Sequence, residues 1–404
     1  MTRMLVTGMG VASPIGLGVE EHWRAALAGT PGIGPITRFD PAKYRVKLAG
    51  EVRGFRPEQH LSERMLLQTD HMTRMSLAAS DWALADAGVR PEELPEFGMA
   101  VVTGATAGGY EFGQREMQKL WGQGPDHVST YQSFAWFYAV NTGQISIRHG
   151  MRGPGAVIVS EQASGLDAVG HARRQLRKGG RLAITGAIDS SLCPWAWVAH
   201  QVAGSLSAET DPARAYLPFD AAACGHIPGE GGAMLVLETA ESAAERGVTR
   251  PYGEIAGYAA TFDSRRAGAG SGLGRAAALA IADAGLEPAD IDVVFADAAG
   301  RPEADAAEAR MIADLFGPYG VPVTAPKTMT GRLYAGGGSL DLAAALLSLT
   351  HGVIPPTVNV RQVPPTYHLD LVREPMSAPV RAALVLGRGR GGFNSAVVVR
   401  SVSG

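Results

Sequence analysis

Cysteine is nearly missing: the 404 residues contain two, Cys193 and Cys224. That is too few for a disulfide framework or a cysteine-built zinc site, and both are expected to be small buried fillers. Long apolar runs are missing too. No stretch approaches the roughly 18 residues needed to cross a bilayer, and the apolar part of the opening MTRMLVTGMG is too short for a secretory leader. Neither sign of charge dominates, with 36 basic against 39 acidic residues and a formal net charge of −3. Neither nucleic acid nor an anionic membrane is therefore expected as a partner. The ten histidines include no H-x-x-x-H pair and no carboxylate companion suited to a metal. These absences fit a cytoplasmic protein without a metal.

What is present is a long, glycine-rich chain that is 46% hydrophobic and 19% charged, with 52 glycines. Its length suggests about two to three structural units. Short apolar runs at 4–9, 99–104, 156–160, 182–188, 233–238 and 291–297 read as buried strands. Helical patterns fall at 76–88, 111–121, 163–180 and 340–352, several of them stopped by glycine. This alternation predicts an α/β protein with a mainly parallel buried sheet. The end, RAALVLGRGRGGFNSAVVVRS, reads as two antiparallel strands around a glycine-rich turn. The spacing in GAGSGLG (268–274) lacks the strand and acidic context of a dinucleotide site and reads as a loop entering a helix. A strand–turn–helix junction occurs at 156–178 and again at 291–316, which suggests two similar halves.

The first of these junctions is the candidate site. A residue at such a turn stands at a helix N-terminus, where free backbone N–H groups favour negative charge and lower a nucleophile's pKa. The turn reads VIVSEQASGLDAVG. It resembles the nucleophile elbow of β-ketoacyl synthases, in particular the type II polyketide form with a Cys-Thr-Ser-Gly-Leu-Asp core. Ser164, Gly165, Leu166 and Asp167 match, and Gln162 falls at the cysteine. An amide cannot form a thioester. VTGMGVASPIG (6–16), PFDAAACGHIPGEGGAMLVLE (218–238) and GGFNSAVVVR (391–400) extend the resemblance over nearly the whole chain.

The resemblance implies a thiolase-like fold, two similar α/β halves (1–240 and 241–404) in an α-β-α-β-α layering. It also locates two histidine positions. DAAGRPEADAAE aligns Pro302, Asp305 and Glu308 with the first motif but has Asp297 at its histidine. KTMTGR keeps Lys327 and Gly331 of the second and has Arg332 at its histidine. In the family these histidines serve decarboxylation of the extender and stabilise the enolate oxygen. Arg390 replaces a gating phenylalanine, with Phe393 in the same turn.

Three losses together are similar to the pattern of the chain-length factor, the ketosynthase β subunit. The resemblance then implies a heterodimer with a ketosynthase α, a growing polyketide delivered on the phosphopantetheine of acyl carrier protein, no bound cofactor, and no condensing activity in this chain. Gln162 would fill a vestigial pocket and hydrogen-bond there. Tyr110, Gly113 and Met117 share one helical face and match the family's chain-length gates. With glycine at 113 and flexible methionine at 117, a longer product is expected, nearer a decaketide than an octaketide.

Blander readings stand beside these. Gln162 could be a capping residue, Asp297 and Arg332 surface charges or a mutual salt bridge, and Tyr110, Gly113 and Met117 ordinary packing. Two other functions stand as well: a malonyl-carrier-protein decarboxylase using Gln162, and a self-sufficient thiolase-like enzyme with an atypical nucleophile.

Overall fold

The computed structural model describes residues 2–264 and 271–402. Its first half carries strands β1 (Met4–Ser13), β2 (Met99–Gly104), β3 (Gly155–Ile158), β4 (Leu182–Asp189) and β5 (Gly231–Thr239). The second carries β6 (Gly253–Phe262), β7 (Val293–Phe295), β8 (Pro322–Thr324), β9 (Ala382–Gly389) and β10 (Phe393–Arg400). Two further two-residue strands complete a twelve-stranded sheet.

The spatial order is 3-2-4-5-1 in the first half and 8-7-9-10-6 in the second, the same order shifted by five. Polarity repeats as well. β2 lies parallel to β3 and β4, and β7 parallel to β8 and β9, while the remaining neighbours within each half run antiparallel. The halves meet where β1 pairs β6 at Leu5↔Glu254 and Val6↔Gly253. The sheet is thus antiparallel through its centre and parallel only on its flanks, which corrects the mainly parallel expectation. A continuous apolar run reports burial on both faces, and a central antiparallel strand between helical layers is as fully buried as a parallel one.

Eight helices position the site: α1 (His71–Asp86), α2 (Tyr110–Gln123), α3 (Val140–His149), α4 (Ser164–Leu176), α5 (Pro194–Val202), α6 (Gly272–Asp283), α7 (Pro302–Phe316) and α8 (Ala335–His351). α4 and α8 pack together between the two half-sheets, α1 covers β1 and β5 on one outside, and α6 covers β6 and β10 on the other. This is the five-layer α-β-α-β-α architecture. The outer packing is matched between halves: a Cβ on Gly10 would stand 1.9 Å from the Ala79 carbonyl, and one on Gly257 would stand 2.0 Å from that of Ala280. Glycine is required at both positions by close helix–strand approach.

The central helix α8 begins five residues before the predicted 340, because Gly336, Gly337 and Gly338 are helical despite poor propensity. They are buried where side chains would collide with β5 and α4: a Cβ on Gly336 would lie 1.9 Å from the Gly231 carbonyl, and one on Gly338 2.9 Å from Leu166 Cγ. Tertiary packing overrides local preference. Of the GAGSGLG segment, 268–270 lie outside the described residues; Ser271 caps α6 by accepting the Gly274 N–H. Among the described residues no helix is long and apolar enough to cross a membrane.

Candidate functional site

Strand β3 leads into a short turn, Glu161–Ala163, and then into α4, so the predicted elbow is present. Glu161 adopts φ 53°, a region where a residue with a side chain is strained. Its own carboxylate helps to hold it there, because Oε2 accepts the N–H groups of both Gln162 and Arg390 at 2.9 Å. The matched Ser164 and Asp167 lock the same turn. Ser164 Oγ accepts the Ser160 N–H (2.8 Å) and donates to the Ala105 carbonyl, while Asp167 accepts the hydroxyls of Ser160 and Tyr258.

Gln162 is 1% exposed and fills the space beside α8. Its Nε2 lies only 2.3 Å from where a Gly337 Cβ would be, so glycine at 337 makes the room. Neither its Oε1 nor its Nε2 has a hydrogen-bond partner among the described residues, contrary to the expectation that it bonds within the pocket. The wall facing it is helical backbone whose first N–H groups are already spent: Ala335 on Thr106 Oγ1, Gly336 on Leu333 O and Gly337 on Tyr334 O.

Asp297 and Arg332 meet. Arg332 Nη2 donates to Asp297 Oδ1 at 2.9 Å and Nη1 to Oδ2 at 3.3 Å, with both side chains buried. The Arg388 N–H adds a bond to Oδ1 at 2.8 Å. Burial alone would raise the Asp297 pKa, but Arg332, Lys327 and Arg388 outweigh it and hold the carboxyl below its usual range. Arg332 is likewise opposed by burial yet raised by Asp297, so it stays a cation. The pair can neither accept nor release a proton near neutrality.

The retained motif residues scaffold this loop. Glu308 accepts the N–H groups of Asp297 and Ala298, and burial together with the Asp297 charge pushes its pKa up to about 7. Asp305 accepts those of Phe219 and Gly300, and burial pushes it up to about 6. Lys327 pairs with Asp341 at 2.6 Å and donates to the Ala296 carbonyl. Arg390 and Phe393 are not brought to the buried pair. Arg390 is exposed, its backbone touching Glu161, and Phe393 is exposed too, its ring set edge-on to that of Phe262. Arg388, overlooked in the sequence, is a second arginine beside Asp297, bonding Oδ1 through its backbone N–H. β9 ends at Gly389, which leaves 388 within the strand and 390 on the rim.

The other titratable groups described around these segments are poorly suited to take over proton transfer: burial, with Arg332 close by, holds the His226 pKa well below its usual range. Burial pushes the Cys193 thiol up to about 11. Cys224 is exposed, against expectation. His200 stacks on Tyr334 with ring centroids 4.4 Å apart, and burial lowers its pKa to about 4, keeping it neutral. Among the described residues no group of three His, Cys, Asp or Glu could hold a metal.

The helical face of Tyr110, Gly113 and Met117 is covered by Trp195 of α5, which the sequence reading missed despite the aromatic pair in CPWAW. The Tyr110 and Trp195 rings stand 5.1 Å apart. A Cβ on Gly113 would lie 3.4 Å from Trp195 Cζ3 and 3.5 Å from Trp136 Cβ. Met117, Trp121 and Trp195 border a cavity of about 560 Å³. A hydrogen bond from the Trp195 N–H to Gln114 Oε1 (2.7 Å) ties the cover to the helix.

Residues 1–243 match the β-ketoacyl synthase N-terminal domain and residues 252–361 the β-ketoacyl synthase C-terminal domain. The chain belongs to the β-ketoacyl synthase family. Within it, the chain is 59% identical over 400 residues to the tetracenomycin polyketide synthase ketoacyl synthase beta subunit of Streptomyces glaucescens, covering 98% of each chain. The ishigamide ketosynthase/chain length factor superposes with a TM-score of 0.92 at 29% identity, covering 100% of both chains. A type II polyketide synthase acyl-carrier protein in complex with its ketosynthase, bound to the hexaketide, gives a TM-score of 0.88 at 26% identity, again over 100% of both chains. Within this fold the elbow carries the buried amide of Gln162, and the two loops meet in the Asp297–Arg332 ion pair.

Proposed function

We propose that this chain is the chain-length factor of a type II polyketide synthase. It pairs with a catalytic ketosynthase α, shapes the polyketide tunnel and sets the length of the poly-β-ketone, without condensing on its own. The observation that carries the reading is the Asp297–Arg332 pair: the two positions that would handle protons and enolate charge are spent on each other. The growing chain would arrive on the phosphopantetheine arm of acyl carrier protein, and Tyr110, Gly113 and Met117, under Trp195, would line its path. The small side of that face, at Gly113, favours a longer product, nearer a decaketide.

A partner surface supports the heterodimer. β3 is the edge of the sheet, only partly covered, and Val159 beside it is 46% exposed. Trp136, Phe137, Tyr138 and Ile147 are exposed on nearby segments. A partly covered apolar edge strand calls for a partner. The repeated strand order supports dividing the chain into halves at 1–240 and 241–404.

Malonyl-carrier-protein decarboxylation is favoured by one observation, the buried and unpartnered amide of Gln162. Against it, Asp297 and Arg332, at the two positions that would serve decarboxylation and the enolate oxygen, are closed on each other and cannot move a proton. Co-expression with candidate ketosynthases tests the main reading: equal co-purification with one of them is expected, and a stable homodimer that condenses alone would overturn it. Carbon dioxide release by the isolated subunit, lost in Gln162→Ala, would favour the second.

A further inference from the structure

The helix that carries the chain-length face does not cap itself. Its N-cap residue is Gly109, without a side chain to bond the first-turn N–H groups. Glycine is required there because a Cβ would stand 2.1 Å from the Ala135 carbonyl and 3.0 Å from Asp70 Cβ. The missing cap is supplied from another helix. Asp70, 2% exposed, is the N-cap of α1, where its Oδ1 accepts the Met72 N–H at 2.9 Å. Its Oδ2 accepts the N–H of Phe112, the third residue of α2, at 2.8 Å. One carboxylate therefore caps two helices, one oxygen each.

A second tie lies alongside. Arg38 pairs with Glu111 in the first turn of α2 and stands 3.8 Å from the buried Glu230. α1 is packed on β1 and β5, so these contacts fix the first turn of α2 to the rigid body of the protein. Tyr110 and Gly113 flank Phe112 within that turn. A helix that slips by one residue moves its side chains about 1.5 Å along its axis and turns them to a new direction. Anything that loosens the first turn thus changes the width of the path that Tyr110 and Gly113 border.

We propose that Asp70 is a positioning residue for product length: by capping α2 from α1, its carboxylate sets where the chain-length face stands, although it does not itself face the growing chain. This inference rests on the chain-length reading of that face. The chemistry suggests two variants. Asp70→Ser keeps a good N-cap for α1 but is too short to reach Phe112. Asp70→Asn keeps one acceptor oxygen and turns an N–H₂ donor toward the other N–H.

The test uses the assembled heterodimer with its ketosynthase α, carrier protein and malonyl units, and reads the ratio of off-length to native-length products. Heterodimer yield and malonyl consumption are measured beside it. Expected is at least a fivefold rise in that ratio for Asp70→Ser, and a rise for Asp70→Asn, with malonyl consumption within about twofold of the parent. A residue that merely supports folding would lower yield and all products together and leave the ratio unchanged; that outcome in both variants, or failure of both to assemble, overturns the proposal. Gly113→Phe in the same assay separates the two levels. If it alters length and the Asp70 variants do not, only the positioning role fails; if it also leaves length unchanged, the chain-length reading of the face fails.

Discussion

The guanidinium of Arg332 and the carboxylate of Asp297 meet at 2.9 Å, and neither exposes more than 7% of its side chain. They come from segments 35 residues apart in sequence, and on the proposed function each stands where a condensing relative would use a histidine. The two form one closed pair, fastened further by the Arg388 N–H and by carbonyls of the same loop. A buried pair of this kind adds little net stability compared with apolar residues, but it is costly to break from one side.

Arg332→Met should therefore destabilise the protein by about 3–5 kcal/mol, since it strands a buried carboxylate. Adding Asp297→Asn should recover part of that loss. Urea unfolding of the single and double variants measures the coupling; additive losses would show that the two charges do not depend on each other.

Restoring the nucleophile should not restore the reaction. In Gln162→Cys the thiol would sit beside the Glu161 carboxylate, which already takes the N–H groups of residues 162 and 390. That negative charge disfavours a thiolate, and the closed Asp297–Arg332 pair cannot take the proton. Intact-mass measurement after incubation with acyl carrier protein is expected to show no acyl adduct on this subunit. Stoichiometric acylation would sink the view of the elbow as blocked by its own carboxylate.

Much of this was legible in the sequence, for identifiable reasons. MAVVTG at 99–104 forms a strand with those bounds, and the terminal hairpin is antiparallel as read, because burial and turn chemistry act locally. Gln162, Asp297 and Arg332 were located by motif. A mutual salt bridge of Asp297 and Arg332 was among the open readings, and only the packing of both halves decides for it. The start of α8 was misjudged because three glycines, poor helix formers alone, are required by contacts with β5 and α4 that no local pattern reveals. Trp195 and Arg388 were missed for the same reason: each is an ordinary residue until the fold sets it beside α2 or Asp297.

Acid should weaken the fold partly through His200. An unfolded histidine takes up its proton near pH 6.5, whereas burial delays the folded one until about 4. Between those values the unfolded state binds more protons, so stability present above 6.5 is lost as the pH falls through that window. The loss is on the order of 2 kcal/mol by pH 5. His200→Phe keeps the stack on Tyr334 but leaves Ser191 Oγ without its partner. The variant should be less stable at pH 7 and show a flatter acid limb, read from urea midpoints at pH 7 and 5; an unchanged slope would exclude His200 as a source.

The exposed edge gives a prediction about assembly. Val157 lies within β3, the strand that ends the sheet. Val157→Asp puts a charge on that edge, which opposes strand addition and apolar contact. Loss of co-purification with the ketosynthase α is expected, with the subunit's own melting temperature lowered by no more than a few degrees. Undiminished pairing would place the interface elsewhere.

Gly113 is the most direct handle on length. The space above it is bounded by Trp195 Cζ3 at 3.4 Å and Trp136 Cβ at 3.5 Å from where a Cβ would stand. A methyl group fits within ordinary contact, so Gly113→Ala should fold normally and leave most product at its native length. A phenyl ring has no room there unless it turns along the face toward Met117, where the cavity of about 560 Å³ begins. Gly113→Phe should therefore obstruct the path and shift products to shorter chains, while the heterodimer still forms and still consumes malonyl units. Chromatography with mass detection of the products from parent, Gly113→Ala and Gly113→Phe dimers distinguishes the cases: a graded shortening with side-chain size identifies this face as the gate, and identical product profiles in all three would remove it from that role.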